Sequence, residues 1–367
     1  MNKIFKVIWS KAKHCYIVAS ELAKSYSKGG GSRSMRRAAV ALLAAAVYTA
    51  TGSALAENTG GSVVNGDYIG ESQYNYNVNI TENVYGSVYG RKEDNTNSEE
   101  AVVNIRGGDV GRDVHGGYTV SGDAASNSVN ISGGTVINSI YGGYSETGAA
   151  ASNTVNIING KAYAVYGGFS ESGEAKDNQV TMTGGEIAFD NTFTVENSGS
   201  LYGGYSFEGY VASNRVNVSG GIVNYSVYGG FTDLDGLAAS NSVIINNASI
   251  KGDVCGGRSF NGSAASNSVN ISGALTEIKG HVYGGYIKLG NGSASYNLVT
   301  IDDGKIGGDV YGGYAYYYNA ASNSVNISSG TIGDLSNSVG NVFGGYSDYG
   351  SVASNSVNIS GDSTLVN

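Results

Sequence analysis

The chain runs to 367 residues, with 58 Gly, 28 Tyr, no Pro and a net charge of −9. Without Pro, every backbone N–H after Met1 is free to donate to a β ladder. The charge is divided: residues 1–37 hold nine Lys/Arg and one acid, leaving a body of twelve bases and twenty-nine acids, which argues against nucleic acid as a partner because phosphate binding needs clustered Lys/Arg.

The basic segment leads into an uncharged apolar run at 38–50, preceded by Arg33, Arg36 and Arg37 and followed by Ala54-Leu55-Ala56 and then Glu57. That is the layout of a signal peptide over 29–56: a basic region, an apolar region and a small-x-small site, with cleavage expected between Ala56 and Glu57. The apolar run is too short for a comfortable membrane span. Upstream lies a further segment, residues 1–28, with the blocks Met1-Asn2-Lys3-Ile4-Phe5, Val7-Ile8-Trp9 and Val18-Ala19-Ser20-Glu21-Leu22-Ala23-Lys24. These blocks resemble the extended signal peptide region of type V secretion, which precedes autotransporters and haemagglutinin-type adhesins. The resemblance implies a helical, cleaved leader. It also implies inner-membrane secretion machinery and an outer-membrane β-barrel translocator as partners.

After a start at 57–87, residues 88–367 carry tandem repeats. A hydrophobic-aromatic-Gly-Gly-aromatic unit recurs at 114–118, 140–144, 165–169, 201–205, 227–231, 254–258, 282–286, 310–314 and 342–346. Its first glycines include Gly116, Gly142, Gly167, Gly203, Gly229, Gly284, Gly312 and Gly344, spaced mostly 25 to 28 residues apart. A second unit, Asn-Ser-Val-Asn-Ile or a variant, follows each first glycine by 11 to 13 residues. It contains Asn127, Asn153, Asn214, Asn267, Asn323 and Asn355. Longer spacings come from insertions at 186–200 and 331–341.

Within 127–131, Asn127, Val129 and Ile131 share one face of a strand and Ser128 and Asn130 the other. Each unit is too small to bury its own apolar face, so units must stack into a continuous core. The expected fold is all-β, a repetitive β-solenoid resembling a parallel β-helix. The asparagines are expected to form an internal amide ladder, and Tyr141, Tyr166, Tyr228, Tyr283 and Tyr311 a stacked row. The Gly-Gly pairs are expected to supply positive-φ corners.

Catalytic chemistry is missing from the pattern, and no enzyme is expected. His115 and Cys255 occupy aromatic slots of repeats, and His281 precedes another copy. Cys15 lies in the leader, so leader removal leaves Cys255 without a disulfide partner. Gly107-Gly108-Asp109 and Gly307-Gly308-Asp309 are fragments of a calcium-binding nonapeptide pattern, but they lack its tandem period. No cofactor or metal is expected. Acids such as Glu146, Glu171 and Glu208 read as scattered, unlike the clustered carboxylates of a solenoid glycan-cleaving enzyme. Asn130-Ile131-Ser132 matches a glycosylation acceptor, taken as incidental behind a bacterial leader.

The resemblance and the repeats together imply a secreted or cell-surface passenger acting as an adhesin or structural surface protein, with host glycans or matrix proteins as candidate partners. A trimeric autotransporter head and a surface-matrix component are the alternatives; no heptad run supports the first. The chain ends within a repeat, so a longer protein with its own barrel, or a separate barrel, is expected.

Overall fold

A computed structural model describes residues 58–188, 199–333, 339–361 and 364–367, together with the backbone of 5–10 and 15–20. The chain divides into two compact units, Met1–Ala56 and Glu57–Asn367.

In the first unit, Phe5–Ser10 and Cys15–Ser20 pair antiparallel, with Val7 opposite Val18 and Trp9 opposite Tyr16. The β-branched and aromatic residues of these two segments favour extended backbone; the rest of the leader, on which the expected helix falls, lies outside the described residues. The apolar run at 38–50 and the cleavage residues Ala54, Ala56 and Glu57 lie outside the described residues.

The second unit is a parallel β-solenoid. One coil shows how it is built. Val114–Thr119 carries the glycine pair, Ala124–Ala125 is a two-residue strand, and Ser128–Ile131 carries the Val-Asn-Ile pattern. The chain then enters Thr135–Ser145, which begins the next coil. Each strand pairs in parallel with its equivalent one coil on: Val129 with Val155, Ala124 with Ala150, and Tyr118 with Tyr144. Three sheets result, of eleven, ten and twenty strands among the described residues.

The core follows from alternation. In Ser128–Ile131 the valine and isoleucine are buried and the serine and asparagine are half-exposed. Val114, Val129, Ile131 and Val136 belong to one continuous apolar cluster that runs through all coils from Tyr68 to Ile332. No coil has a core of its own, so the stabilising contacts lie between neighbours. At the first coils the antiparallel hairpin of Gly61–Val64 and Asp67–Gly70 joins the large sheet.

Two sets of corners turn the chain, and neither is the glycine pair of the repeat. Glycines after the Val-Asn-Ile strands, such as Gly134 and Gly160, have φ of +81° and +107°. The other corner precedes each buried asparagine and is held by a non-glycine residue: Ser126, Ser152, Ser240, Ser266 and Ser322 have φ between 56° and 58°. The pairs at 116–117 and their equivalents have no positive φ, so the expected role of these glycines is corrected below.

Left-handed backbone costs an L-residue about 1–2 kcal/mol. Ser266 is exposed and sits at φ +57°. Ser266→Gly is therefore expected to be neutral or stabilising, while Ser266→Val should lose about 1–2 kcal/mol through its branched Cβ. Urea unfolding followed by circular dichroism measures both; equal effects would contradict the strain assigned to this corner.

Candidate functional site

The most ordered polar feature lies inside the coils. Asn127 Nδ2 donates to Asn153 Oδ1 at 3.0 Å and to the Ser98 carbonyl at 2.9 Å, and the Asn127 backbone N–H donates to the same Asn153 Oδ1 at 3.0 Å. Asn153 repeats the arrangement on Asn178, with Ala124 as carbonyl acceptor. The series continues through Asn214, Asn241, Asn267, Asn297 and Asn323 to Asn355. From Asn153 to Asn323 each amide thus donates twice and accepts twice, which is the full capacity of the group. Burying it is tolerable because no donor or acceptor is orphaned. At the start of the row Ala101 replaces asparagine, and its backbone N–H donates to Asn127 Oδ1.

This ladder explains the glycine pairs. A Cβ on Gly117 would stand 2.3 Å from Asn127 Nδ2, and one on Gly116 would stand 2.3 Å from the Gly142 carbonyl oxygen. Both contacts are closer than a side chain can occupy. The same clash recurs at the first glycines Gly142, Gly167, Gly203, Gly229, Gly284 and Gly312 against the next coil's carbonyl, and at Gly344 against Ser356. The pair therefore permits close approach of two backbones and an amide, and does not supply the positive-φ bend.

With both glycines facing inward, the aromatic residues on either side face out and form two rows. In the first, Tyr141 stacks on Tyr166 at 5.0 Å and Tyr166 on Tyr202 at 4.7 Å, with rings within 7° of parallel. Tyr228 continues that row on Tyr202, and Tyr283 stacks on Tyr311. The second row, from Tyr118 through Tyr144, Phe169 and Tyr205 to Phe231, stacks likewise and meets the first edge-on. Within these stacks neighbouring rings cover each other's faces, a contact contributing about 0.5–1.5 kcal/mol beyond burial.

The second row also organises carboxylates that look scattered in sequence. Tyr118 donates to Glu146 and Tyr144 to Glu171, both at 2.5 Å. Tyr205 donates to Asp233, and Tyr314 to Asp348. Burial, and then the neighbouring carboxylate, push the Tyr118, Tyr144, Tyr205 and Tyr314 phenols well above their ordinary range. These hydroxyls stay protonated and act as donors.

Two coils break the rows. His115 lies between Tyr89 and Tyr141, with rings 4.7 and 4.9 Å away, and burial holds its pKa down to about 3. At 255–258 both rows change together. Cys255 is buried, and burial pushes its thiol up. The Arg258 guanidinium lies 4.7 Å from the Phe231 ring and 5.3 Å from that of Tyr286, and donates to Tyr228 Oη at 3.1 Å. Burial pushes Tyr228 up to about 12, against the pull of Arg258. His115, Cys255 and Arg258 thus serve as ring substitutes.

His281 lies 3.7 Å from Asp309 through Nδ1, which accepts the Asp309 backbone N–H at 2.9 Å. The Asp309 carboxylate accepts from Asn341 and from Tyr311, so the calcium-like segment at 307–309 spends its acid on the protein. Among the described residues no three His, Cys, Asp or Glu side chains converge on a metal position.

The leader settles the route. The family model for the extended signal peptide of the type V secretion system matches residues 1–50. The chain carries a type V secretion leader. No curated protein and no solved structure matches the chain. The leader and the β-solenoid are those of an autotransporter-type passenger, exported through the inner-membrane machinery and an outer-membrane translocator to the cell surface or beyond.

Sequence reading alone did not find the second aromatic row, the phenol–carboxylate pairs, or the outer amide contacts of Asn130 with Asn104 and of Asn156 with Asn130. The signal for the row was present, as the fifth residue of each repeat. The pairing was not, because Tyr118 and Glu146 meet only across coils.

Two predictions follow from the passenger's side chains. Asn241→Ala orphans the Asn214 N–H and one of the two Nδ2 hydrogens and is expected to cost about 3 kcal/mol. The three atoms nearest a Cβ on Gly230 all belong to the Asn241 side chain, at 2.4 to 2.7 Å. Gly230→Ala should therefore cost much less in the Asn241→Ala background, and additive losses in a double-mutant cycle would contradict the packing described here.

For His115 the folded pKa is depressed, so the unfolded chain takes up a proton below about 6.5 while the folded chain does not until about 3. Stability from this group is complete above pH 6.5 and falls as pH drops, by at most about 1.4 kcal/mol per unit. His115→Tyr should gain on the native protein as pH goes from 7 to 4. Urea midpoints at the two values test this, and a constant gap would refute it.

Proposed function

We propose that the passenger is a non-enzymatic surface adhesin whose solenoid is a rigid shaft. The observation that supports this reading is the saturation of the amide ladder and the pairing of second-row phenols with carboxylates: these groups are spent on bonds between coils. A phenol kept protonated by burial and a carboxylate held by that phenol are poor acid–base catalysts. The continuous core is closed within one chain, which favours a single-chain shaft over an interwoven trimeric head. A regular shaft presents variable parts at a distance from the membrane, as an adhesin requires. Host glycans or matrix proteins are the proposed partners.

Cleavage after Ala56 is part of this reading, because Ala54 and Ala56 suit the peptidase site and Glu57 would start the mature chain. The test is display of the chain on a non-adherent bacterial strain, followed by counting of cells bound to immobilised glycans and matrix proteins. Binding above the undisplayed control is expected, with a mature N-terminus at Glu57 by mass spectrometry and no release of reducing ends from polysaccharides. Display without added binding would remove the adhesin reading, and polysaccharide cleavage would replace it with an enzyme.

A further inference from the structure

The repeat has an internal constant, and its two exceptions coincide with a surface cleft. From first glycine to buried asparagine the spacing is 11 residues in seven of nine coils, but 12 from Gly229 to Asn241 and 13 from Gly284 to Asn297. The added residues fall in one place. The loop between Val227–Thr232 and Ala238–Ala239 has five residues, and that between Val282–Ile287 and Ala294–Ser295 has six. In the coil between them, the loop from Val254–Ser259 to Ala264–Ala265 has four. Two long loops thus flank a short one and border an open cleft of about 690 Å³. Tyr210, Asp235, Leu237, Asn261, Ser263 and Asn291 line it. Its size falls within the range of about 300–1,000 Å³ usual for small-ligand sites.

The chemistry of this lining differs from that of the ladders. Tyr210 is 58% exposed, and among the described residues its ring joins no aromatic stack. Among the same residues, the side chains of Asp235, Asn261 and Asn291 make no hydrogen bond, whereas every buried ladder asparagine is saturated. Lys, Arg and His are missing from the lining and one carboxylate is present, so phosphate, sulfate and acidic sugars are repelled. The predominance of polar groups disfavours a lipid. An open aromatic face beside Leu237, ringed by amides, a carboxylate and a hydroxyl, suits a ligand with one apolar C–H face and a rim of hydroxyls.

We propose that this cleft binds a neutral carbohydrate of two or three sugar units. One sugar face lies on Tyr210, and its hydroxyls donate to Asp235 and exchange hydrogen bonds with Asn261 and Asn291. The assignment deepens the adhesin reading by naming a ligand class and a place for it, away from the stacked rows whose ring faces are taken.

The test is binding of the purified full chain to an array of neutral di- and trisaccharides built from hexoses and N-acetylhexosamines, with sialylated and sulfated versions alongside. Hits are then titrated by saturation-transfer NMR. At least one neutral saccharide is expected to bind, and Tyr210→Ala and Asn291→Ala should each weaken it about tenfold. Tyr85→Ala, at a 91% exposed tyrosine outside the cleft, should bind as the native chain does. All three sites are exposed, and unchanged circular dichroism confirms that each variant folds. No neutral saccharide bound at millimolar concentration, a preference for the charged versions, or native binding by Tyr210→Ala would each overturn the proposal. On displayed cells, adhesion that survives Tyr210→Ala would leave the adhesin standing and remove the cleft. Saccharide binding without adhesion would do the reverse.

Discussion

The buried asparagine amide sets the dimensions of the passenger. A primary amide has two donors and two acceptor sites, and in water it uses them all. Inside the coil the only way to match that is to place another amide one strand spacing away, with a backbone carbonyl and a backbone N–H in reach. Asn153 meets those terms on both sides, from Asn127 and to Asn178. The neighbouring backbone must then come so close that no side chain fits, which is why the paired strand carries two glycines where Asn127 rests. A single functional group therefore dictates coil height, glycine pair and parallel register together.

The aromatic rows follow from the same constraint. With two glycines facing in, the residues on either side are turned out, and they stand one above another at the height fixed by the amides. Rings at that separation are close to stacking distance, so Tyr141, Tyr166 and Tyr202 fill the space between coils with little left over. Departures are local and compensated. Where Cys255 removes a ring from one row, Arg258 in the other lays a planar cation beside Phe231 and Tyr286. Where His115 replaces tyrosine, the imidazole keeps the stack only as the neutral species.

Much of this was legible in the sequence because it depends on period. Alternation in Ser-Val-Asn-Ile gives a strand with one buried face, and near-constant spacing gives coils in register. The leader's basic and apolar regions are legible for the same reason, as composition in fixed order. The unreadable parts depend on contacts between coils. Glycine pairs suggest bent backbone, yet the left-handed corners belong to Ser126 and Gly134, and the pair at 116–117 is there for close approach. Glu146 and Glu171 look scattered because each is paired with a tyrosine of the preceding coil, more than twenty-five residues away. The strand pairing of Phe5–Ser10 with Cys15–Ser20 was not read from the sequence, although Val7, Ile8, Val18 and Trp9 favour extended chain.

Saturation also decides where recognition can occur. A side chain that has spent its hydrogen bonds and ring faces on its neighbours has nothing to offer a ligand without breaking the shaft. New chemistry in such a fold must come from residues that the repeat does not need, and added loop residues are the simplest source. The insertions at 186–200 and 331–341 are the longest, but a change of one or two residues inside the constant half matters more to local shape. There the flanking strands are held fixed by the amide and the glycines, so any extra residue must bulge outward. Two such bulges on either side of an unextended coil border a cleft, and among its lining side chains Asp235, Asn261 and Asn291 are claimed by no ladder.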